Sequence, residues 1–276
     1  MSELSSGKGH HDENFPVASF LLKRAYRAPI LTFYRFARAA DDIADHASAS
    51  EAEKLRLLNE MRAGLEGNGA PEAMALAEVA RVKGLDLVHA HDLLDAFTQD
   101  VTQRRYRDWG ELMAYCRLSA MPVGRFVLDV HGEDRATWPL SDALCAALQV
   151  INHLQDCAKD FRQLDRVYIP LDTLAAEGVG VEALAEPRGS PALRRVIAGL
   201  AEKTQGLLAD SAPFASAIRD ARLAGEVAVI QALAEDLTSL LLRRDPLSEP
   251  VHHSKLRMGG LAMTSLLRHG MARAFA

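Results

Sequence analysis

The chain has 276 residues, 49% of them hydrophobic and 25% charged, with a formal net charge of −5. That balance suits a soluble globular protein with a sizeable core and excludes the broad basic field of a nucleic-acid binder. Three cysteines, Cys116, Cys145 and Cys157, are too few and too widely spaced for a disulfide framework or a zinc site, which points to a reducing compartment.

The N-terminal stretch MSELSSGKGHHDEN is polar and has no secretory apolar core. Residues 1–12 read as a flexible tail of one domain spanning 1–276. Pro29 is placed to open a helix running through Asp45, ending in FYRFARAADDIADH. HASASEAEK caps a second helix that ends near Gly64, and EGNGAP (66–71) is a loop. Apolar spacing of three and four predicts helices over 71–81 and 85–105. Residues 109–130 continue as helix, interrupted at Pro122 and Gly124, before a loop at 131–139. One long helix is expected over 140–161, then RVYIPLD and a loop-rich region up to Pro191. Helices over 192–211 and 214–242 follow, and residues 255–272 form a last, basic amphipathic helix. No strand ladder, repeat or run of ~18 apolar residues occurs, so the expectation is an all-α bundle of nine to eleven helices with no membrane span.

Two of these segments concentrate acid on an otherwise apolar helix. Asp41 and Asp45 are one turn apart, with Arg38 and Tyr34 extending the same stripe backwards. Gln149, Asn152, Asp156 and Asp160 are spaced three, four and four and would share one face of an unbroken helix. Buried carboxylates in such stripes cost several kcal/mol each unless paired or bound to cations. Donor sets of oxygen alone suit Mg²⁺, which keeps waters and shares its coordination with phosphate. Arg38 is positioned to pair with the aspartates or grip a phosphate, and Arg166 and Tyr168 fall just beyond the second stripe. His11–Asp12 and His91–Asp92 raise a metal phosphohydrolase as a rival, on a dipeptide common by chance. A non-catalytic helical scaffold is the other rival class.

The pattern Tyr34, Arg38, Asp41, Asp42, Asp45 resembles the first signature of the squalene and phytoene synthase family. YCRLSAMPVG (115–124) resembles its Tyr-Cys segment, and QVINHLQDCAKDF with RVYIP resembles its second aspartate motif. The resemblance covers nearly the whole chain. It implies a class I isoprenoid synthase fold, all-α around a central cavity, with Mg²⁺ held by Asp41 and Asp45 on one helix and Asn152, Asp156 and Asp160 on another. By position and polarity alone, Arg38, Gln149, Tyr115, Arg166 and Tyr168 are candidates for binding the substrate, and Tyr34, Arg38 and Asn152 for catalysis. The second motif departs from the family pattern: Gln155 stands where arginine is usual and Lys159 where glutamate is usual. With HHDENFPVAS and NHLQD, those departures resemble the hydroxysqualene synthase subgroup of bacterial hopanoid operons.

That subgroup takes one presqualene diphosphate and water, with a separate synthase upstream and a separate reductase downstream. Gln155 and Lys159 suit a site that ionises a single diphosphate. The alternative is condensation of two prenyl diphosphates by a squalene or phytoene synthase. No Gly-x-Gly-x-x-Gly fingerprint is present, so a reductive step on this chain is not expected. The expected setting is cytoplasmic, with a peripheral contact at the inner membrane through the basic last helix.

Overall fold

The computed structural model describes residues 23–274. The expected tail at 1–12, the phrase HHDENFPVAS and the His11–Asp12 pair lie outside them.

Thirteen α-helices make up the described residues, joined by short turns and two 3₁₀ segments. The first four are α1 (Arg24–Asp45), α2 (Glu51–Leu65), α3 (Pro71–Lys83) and α4 (Val88–Thr102). Their apolar faces meet in one core that includes Phe33, Phe36, Leu58, Met61, Leu76 and Leu93. Helix α1 starts five residues before Pro29, earlier than the sequence suggested. Proline there removes one backbone bond near the helix start, and burial of Pro29 and Ile30 offsets the loss. Ser50 caps α2 by accepting the Glu53 amide, as the polar run implied.

Next come α5 (Trp109–Ser119) and α6 (Met121–His131), hinged at Ala120 before Pro122. Phe126 of α6 stacks on Phe33 at 4.0 Å and so joins the first core. Gly124 lies where α6 crosses the following helix. A Cβ there would sit 2.3 Å from Ser141 Oγ and 2.6 Å from Cys145 Sγ, so only glycine permits the approach.

The long helix expected over 140–161 is two helices, α7 (Trp138–Gln155) and α8 (Cys157–Leu164). The expected loop at 131–139 is shorter, because a 3₁₀ turn at Arg135–Thr137 feeds α7 at Trp138. The loop-rich region contains α9 (Leu171–Ala176). Then come α10 (Pro191–Ser211), α11 (Phe214–Ala217), α12 (Ala221–Leu241) and α13 (Lys255–Ala274). The expected helix over 214–242 is therefore split, because Asp220 caps a fresh start by accepting the amides of Arg222 and Leu223. Helix α7 packs against α6, α10 and α12, and its buried Leu144, Val150, Ile151 and Leu154 anchor the second core.

Among the described residues there is no strand ladder, only an isolated bridge between Arg105 and Val167. No helix of the described residues is long and apolar enough to cross a membrane. The three cysteines are free, and burial pushes the Cys116 and Cys157 thiols up to about 12 and Cys145 to about 11.

Candidate active site

The last turns of α1 bury Phe36, Ala40 and Ala44 and leave Tyr34, Arg38, Asp41, Asp42 and Asp45 half-buried. The 3.6-residue period produces this division, since the buried positions recur every three or four residues. Arg38 forks across both neighbouring acids, with Nη1 2.7 Å from Asp41 Oδ2 and Nη2 2.5 Å from Asp42 Oδ1. Burial works against the guanidinium charge, but Asp41 and Asp42 outweigh it and hold Arg38 protonated. Asp42, out of register with Asp41 and Asp45, is thus the second prong of this pairing.

The second acidic stripe bends. Asp156 is both the C-cap of α7 and the residue before α8, with φ −95° and ψ 5°. Its amide still donates to Asn152 O at 2.9 Å, and the Asp160 amide donates to Asp156 O at 2.8 Å. Backbone bonding therefore survives the joint. Gln149 and Asn152 remain half-buried on α7, and Asp160 stands half-buried on α8.

Burial pushes the Asp160 carboxyl up to about 7, and the charges of Asp156 and Asp45 add to it. Asp160 O accepts the Arg166 amide at 3.2 Å and the Arg166 guanidinium donates to Asp45 of α1, so the C-terminal ends of the two acidic stripes meet at Arg166. Lys159, exposed, lies with Nζ 3.8 Å from Asp156 Oδ2.

Gln155 is placed differently from what its motif position suggested. It is buried, its amide donates to Val251 O, and it lies 3.4 Å from His252 Nδ1. Its side chain braces the segment before α13, so its exchange for arginine is more than the loss of a phosphate contact.

Arg166 sits between the stripes. Nη1 donates to Asp45 Oδ1 at 2.5 Å, Nη2 to Ala44 O at 3.0 Å and Nε to Asp100 O at 3.0 Å. The chain presents it inward because 165–167 is pinned to 104–105. Asp165 turns in a left-handed conformation at φ 52°, Val167 N donates to Arg104 O at 2.9 Å, and Arg105 pairs with Asp165 at 2.6 Å. Burial disfavours the Arg166 charge, yet Asp100, Tyr168 and Asp45 raise its proton affinity above the ordinary arginine value.

Asp100, at the C-terminal turn of α4, was not foreseen. Its buried carboxylate accepts the Tyr115 hydroxyl at 2.7 Å and the Tyr168 hydroxyl at 2.8 Å. Burial pushes its carboxyl up to about 6. Tyr168 stacks on His153 at 3.6 Å between ring centres, and Tyr106 packs against both Tyr115 and Tyr168. Burial and Arg166 hold His153 neutral, with its pKa down to about 3. Tyr115, Arg166 and Tyr168 thus form one buried network with Asp100, adjoining the acids through Asp45.

His91 and Asp92 belong to another face, where His91 Nδ1 lies 3.3 Å from Arg62 Nη1. Arg104 and Arg105 pair with Asp165, and Arg107 pairs with Glu111. Among the described residues no three His, Cys, Asp or Glu side chains stand together as a finished metal cage.

The squalene/phytoene synthase family profile matches residues 8–257. The hydroxysqualene synthase of Zymomonas mobilis is 53% identical over 95% of this chain and 90% of its own length. That of Rhodopseudomonas palustris is 54% identical, covering 91% of this chain and 87% of its own. The crystal structure of squalene synthase HpnC from Alicyclobacillus acidocaldarius superposes with a TM-score of 0.74 at 31% identity, over 84% of this chain and 89% of that one. An all-α class I isoprenoid synthase fold, two acidic stripes meeting at their ends, and identity sustained over nine-tenths of the sequence lead to one assignment: the chain belongs to the squalene/phytoene synthase family.

Proposed function

We propose that the chain is a hydroxysqualene synthase, a carbon–oxygen lyase that converts presqualene diphosphate and water to hydroxysqualene and diphosphate. The observation that carries this reading is the 53–54% identity to two hydroxysqualene synthases over more than nine-tenths of the chain. The site supports it: Asp45, Asp156 and Asp160 gather negative charge where Arg38 and Arg166 supply cations suited to a diphosphate.

Mg²⁺ is the cofactor assigned. The donors are oxygen only, and burial, with Asp156 and Asp45 adding to it, pushes Asp160 up to about 7, a penalty on its charged form that a bound cation would relieve. With no finished cage among the described residues, Asp41, Asp45, Asn152, Asp156 and Asp160 would hold the ion jointly with diphosphate oxygens and waters. When bound, Mg²⁺ supplies Lewis-acid stabilisation of the leaving diphosphate.

The chain's own residues supply the rest. Arg38 and Arg166 stabilise charge on the departing diphosphate, which leaves with the electrons of the broken carbon–oxygen bond. The cyclopropylcarbinyl cation left behind rearranges in an apolar, water-poor surrounding. A water oxygen then bonds to the rearranged carbon, and the proton it loses passes to the released diphosphate. Tyr115 and Tyr168 each commit their single hydroxyl proton to Asp100, so toward a ligand they offer only lone pairs. Such oxygens accept from a water or face a cation, the two services this reaction needs. A synthase joining two farnesyl diphosphates must supply the substrate and a reductase must consume the alcohol. The reaction would run in the cytoplasm at the inner membrane, where both lipids partition.

Incubation with presqualene diphosphate and Mg²⁺ is expected to yield hydroxysqualene and one diphosphate, with farnesyl diphosphate left unconsumed. The rival reading, condensation of two prenyl diphosphates, is favoured by the similarity to the Alicyclobacillus squalene synthase. Efficient turnover of farnesyl diphosphate alone would overturn the lyase assignment.

A further inference from the structure

Helix α13 carries an apolar stripe on its outer face. Leu256, Met263, Leu267 and Met271 are spaced seven, four and four, which sets them on one side of the helix. They are 88%, 63%, 58% and 57% exposed, and they are four of the eight large apolar side chains exposed among the described residues. The opposite face is packed: Ser265 Oγ donates to Ala228 O at 2.7 Å, and Leu266 closes over Gly225 of α12.

The flanks of the stripe are basic. Measured from the middle of the stripe, Lys255 and Arg273 lie about 115° to one side, and Arg257 and Arg268 about 85–105° to the other. Helix α13 holds these four cations and no carboxylate, in a chain whose net charge is −5. Arg257 reaches down to Asp236 of α12 and Arg273 to the carbonyls of Ile218 and Arg219, so their heads sit level with the body and below the stripe. Apolar side chains outermost, with cations in two rows beside them, match the depth profile of an anionic phospholipid surface.

We propose that the outer face of α13 docks the enzyme on an anionic membrane surface, with Leu256, Met263, Leu267 and Met271 entering the acyl boundary and Lys255 and Arg268, one on each flank, meeting headgroups. The choice of a lipid surface over a protein partner rests on the proposed reaction, whose substrate and product are membrane lipids. The surface also has a short path to the chemistry. The segment leading into α13 accepts a hydrogen bond from Gln155, between Asn152 and Asp156, at Val251 O.

The test is co-sedimentation of the full chain with phosphatidylcholine vesicles, with and without phosphatidylglycerol, in the absence of substrate. Binding is expected only with phosphatidylglycerol and is expected to weaken as salt rises. The double variant Met263→Asp/Leu267→Asp, with its helical circular dichroism unchanged, is expected to bind at least about tenfold more weakly. Its turnover in detergent micelles should equal that of the parent. Equal vesicle binding by the double variant, or no vesicle binding by the parent, overturns the proposal. So does a parent dimer in sedimentation velocity that the double variant abolishes, because the stripe would then be covered by a second copy. Vesicle binding is read without turnover, so the docking surface and the proposed reaction fail separately.

Discussion

Asp160→Asn should stabilise the free protein while removing its activity. The carboxyl is raised from 3.8 to about 7, first by burial and then by Asp156 and Asp45. A shift of roughly three units at about 1.4 kcal/mol each sets a ceiling of about 4 kcal/mol, and screening at a half-buried site lowers the expected gain to about 1–2 kcal/mol. The sign follows from proton uptake. Between pH 4 and 7 the folded chain holds a proton on Asp160 that the unfolded chain has released, so wild-type stability falls as pH rises across that window. Above it the loss is complete. Urea unfolding of both proteins at pH 5 and pH 8 without divalent cation measures the effect. The variant should gain most at pH 8 and show the flatter pH dependence. Turnover should fall by at least about a hundredfold, because a carboxylate that serves the diphosphate end is gone. A variant that is less stable than wild type at pH 8, or equally pH-dependent, would refute the reasoning that the charged form of Asp160 is penalised here.

Asp100→Asn keeps the side-chain shape but offers one acceptor oxygen where Tyr115 and Tyr168 use two. The expected loss is about 1–3 kcal/mol in urea unfolding, with turnover reduced and a larger share of hydrocarbon products by gas chromatography. Unchanged stability and product ratio would remove Asp100 from any positioning role. Gln155→Arg restores the residue usual in the family but buries a longer, charged side chain against Val251 and His252. It should cost about 2–4 kcal/mol in chemical denaturation and confer no condensation of farnesyl diphosphate. Gain of condensation would show that this position faces the diphosphates instead.

The parts legible in sequence were those governed by local periodicity. Tyr34, Arg38, Asp41 and Asp45 read as one stripe because a helix repeats every 3.6 residues, and α1 keeps that repeat through its last turn. The joint at Asp156 was not legible. No glycine or proline marks it, and the backbone bonds from Asn152 to Asp160 run through it. An aspartate in the last turn of α4 also reads as a solvated polar residue. What makes Asp100 a hub is contact with Tyr115 and Tyr168, which lie 15 and 68 positions away and arrive only through helix packing. Pro29 misled in the opposite direction. A proline preference for the first turn was outweighed by contacts of the turn before it, where Tyr26 packs on His131 of α6 at 4.2 Å between ring centres and Lys23 pairs with Asp220. The rivals had no local correlate to settle them either, and identity to whole relatives decided the family.

The brace at Gln155 has a practical consequence for anyone shortening this chain. Val251 O receives the Gln155 amide, and His253 Nε2 lies 2.9 Å from Asp236 Oδ2. These contacts belong to the body of the protein although their residues immediately precede the last helix. A truncation placed after Ser254 discards α13 and leaves the support behind Asn152 and Asp156 in place. One placed before Val251 strips a hydrogen-bonded wall from the second acidic motif, and the two products would differ in catalysis as well as in where they adhere.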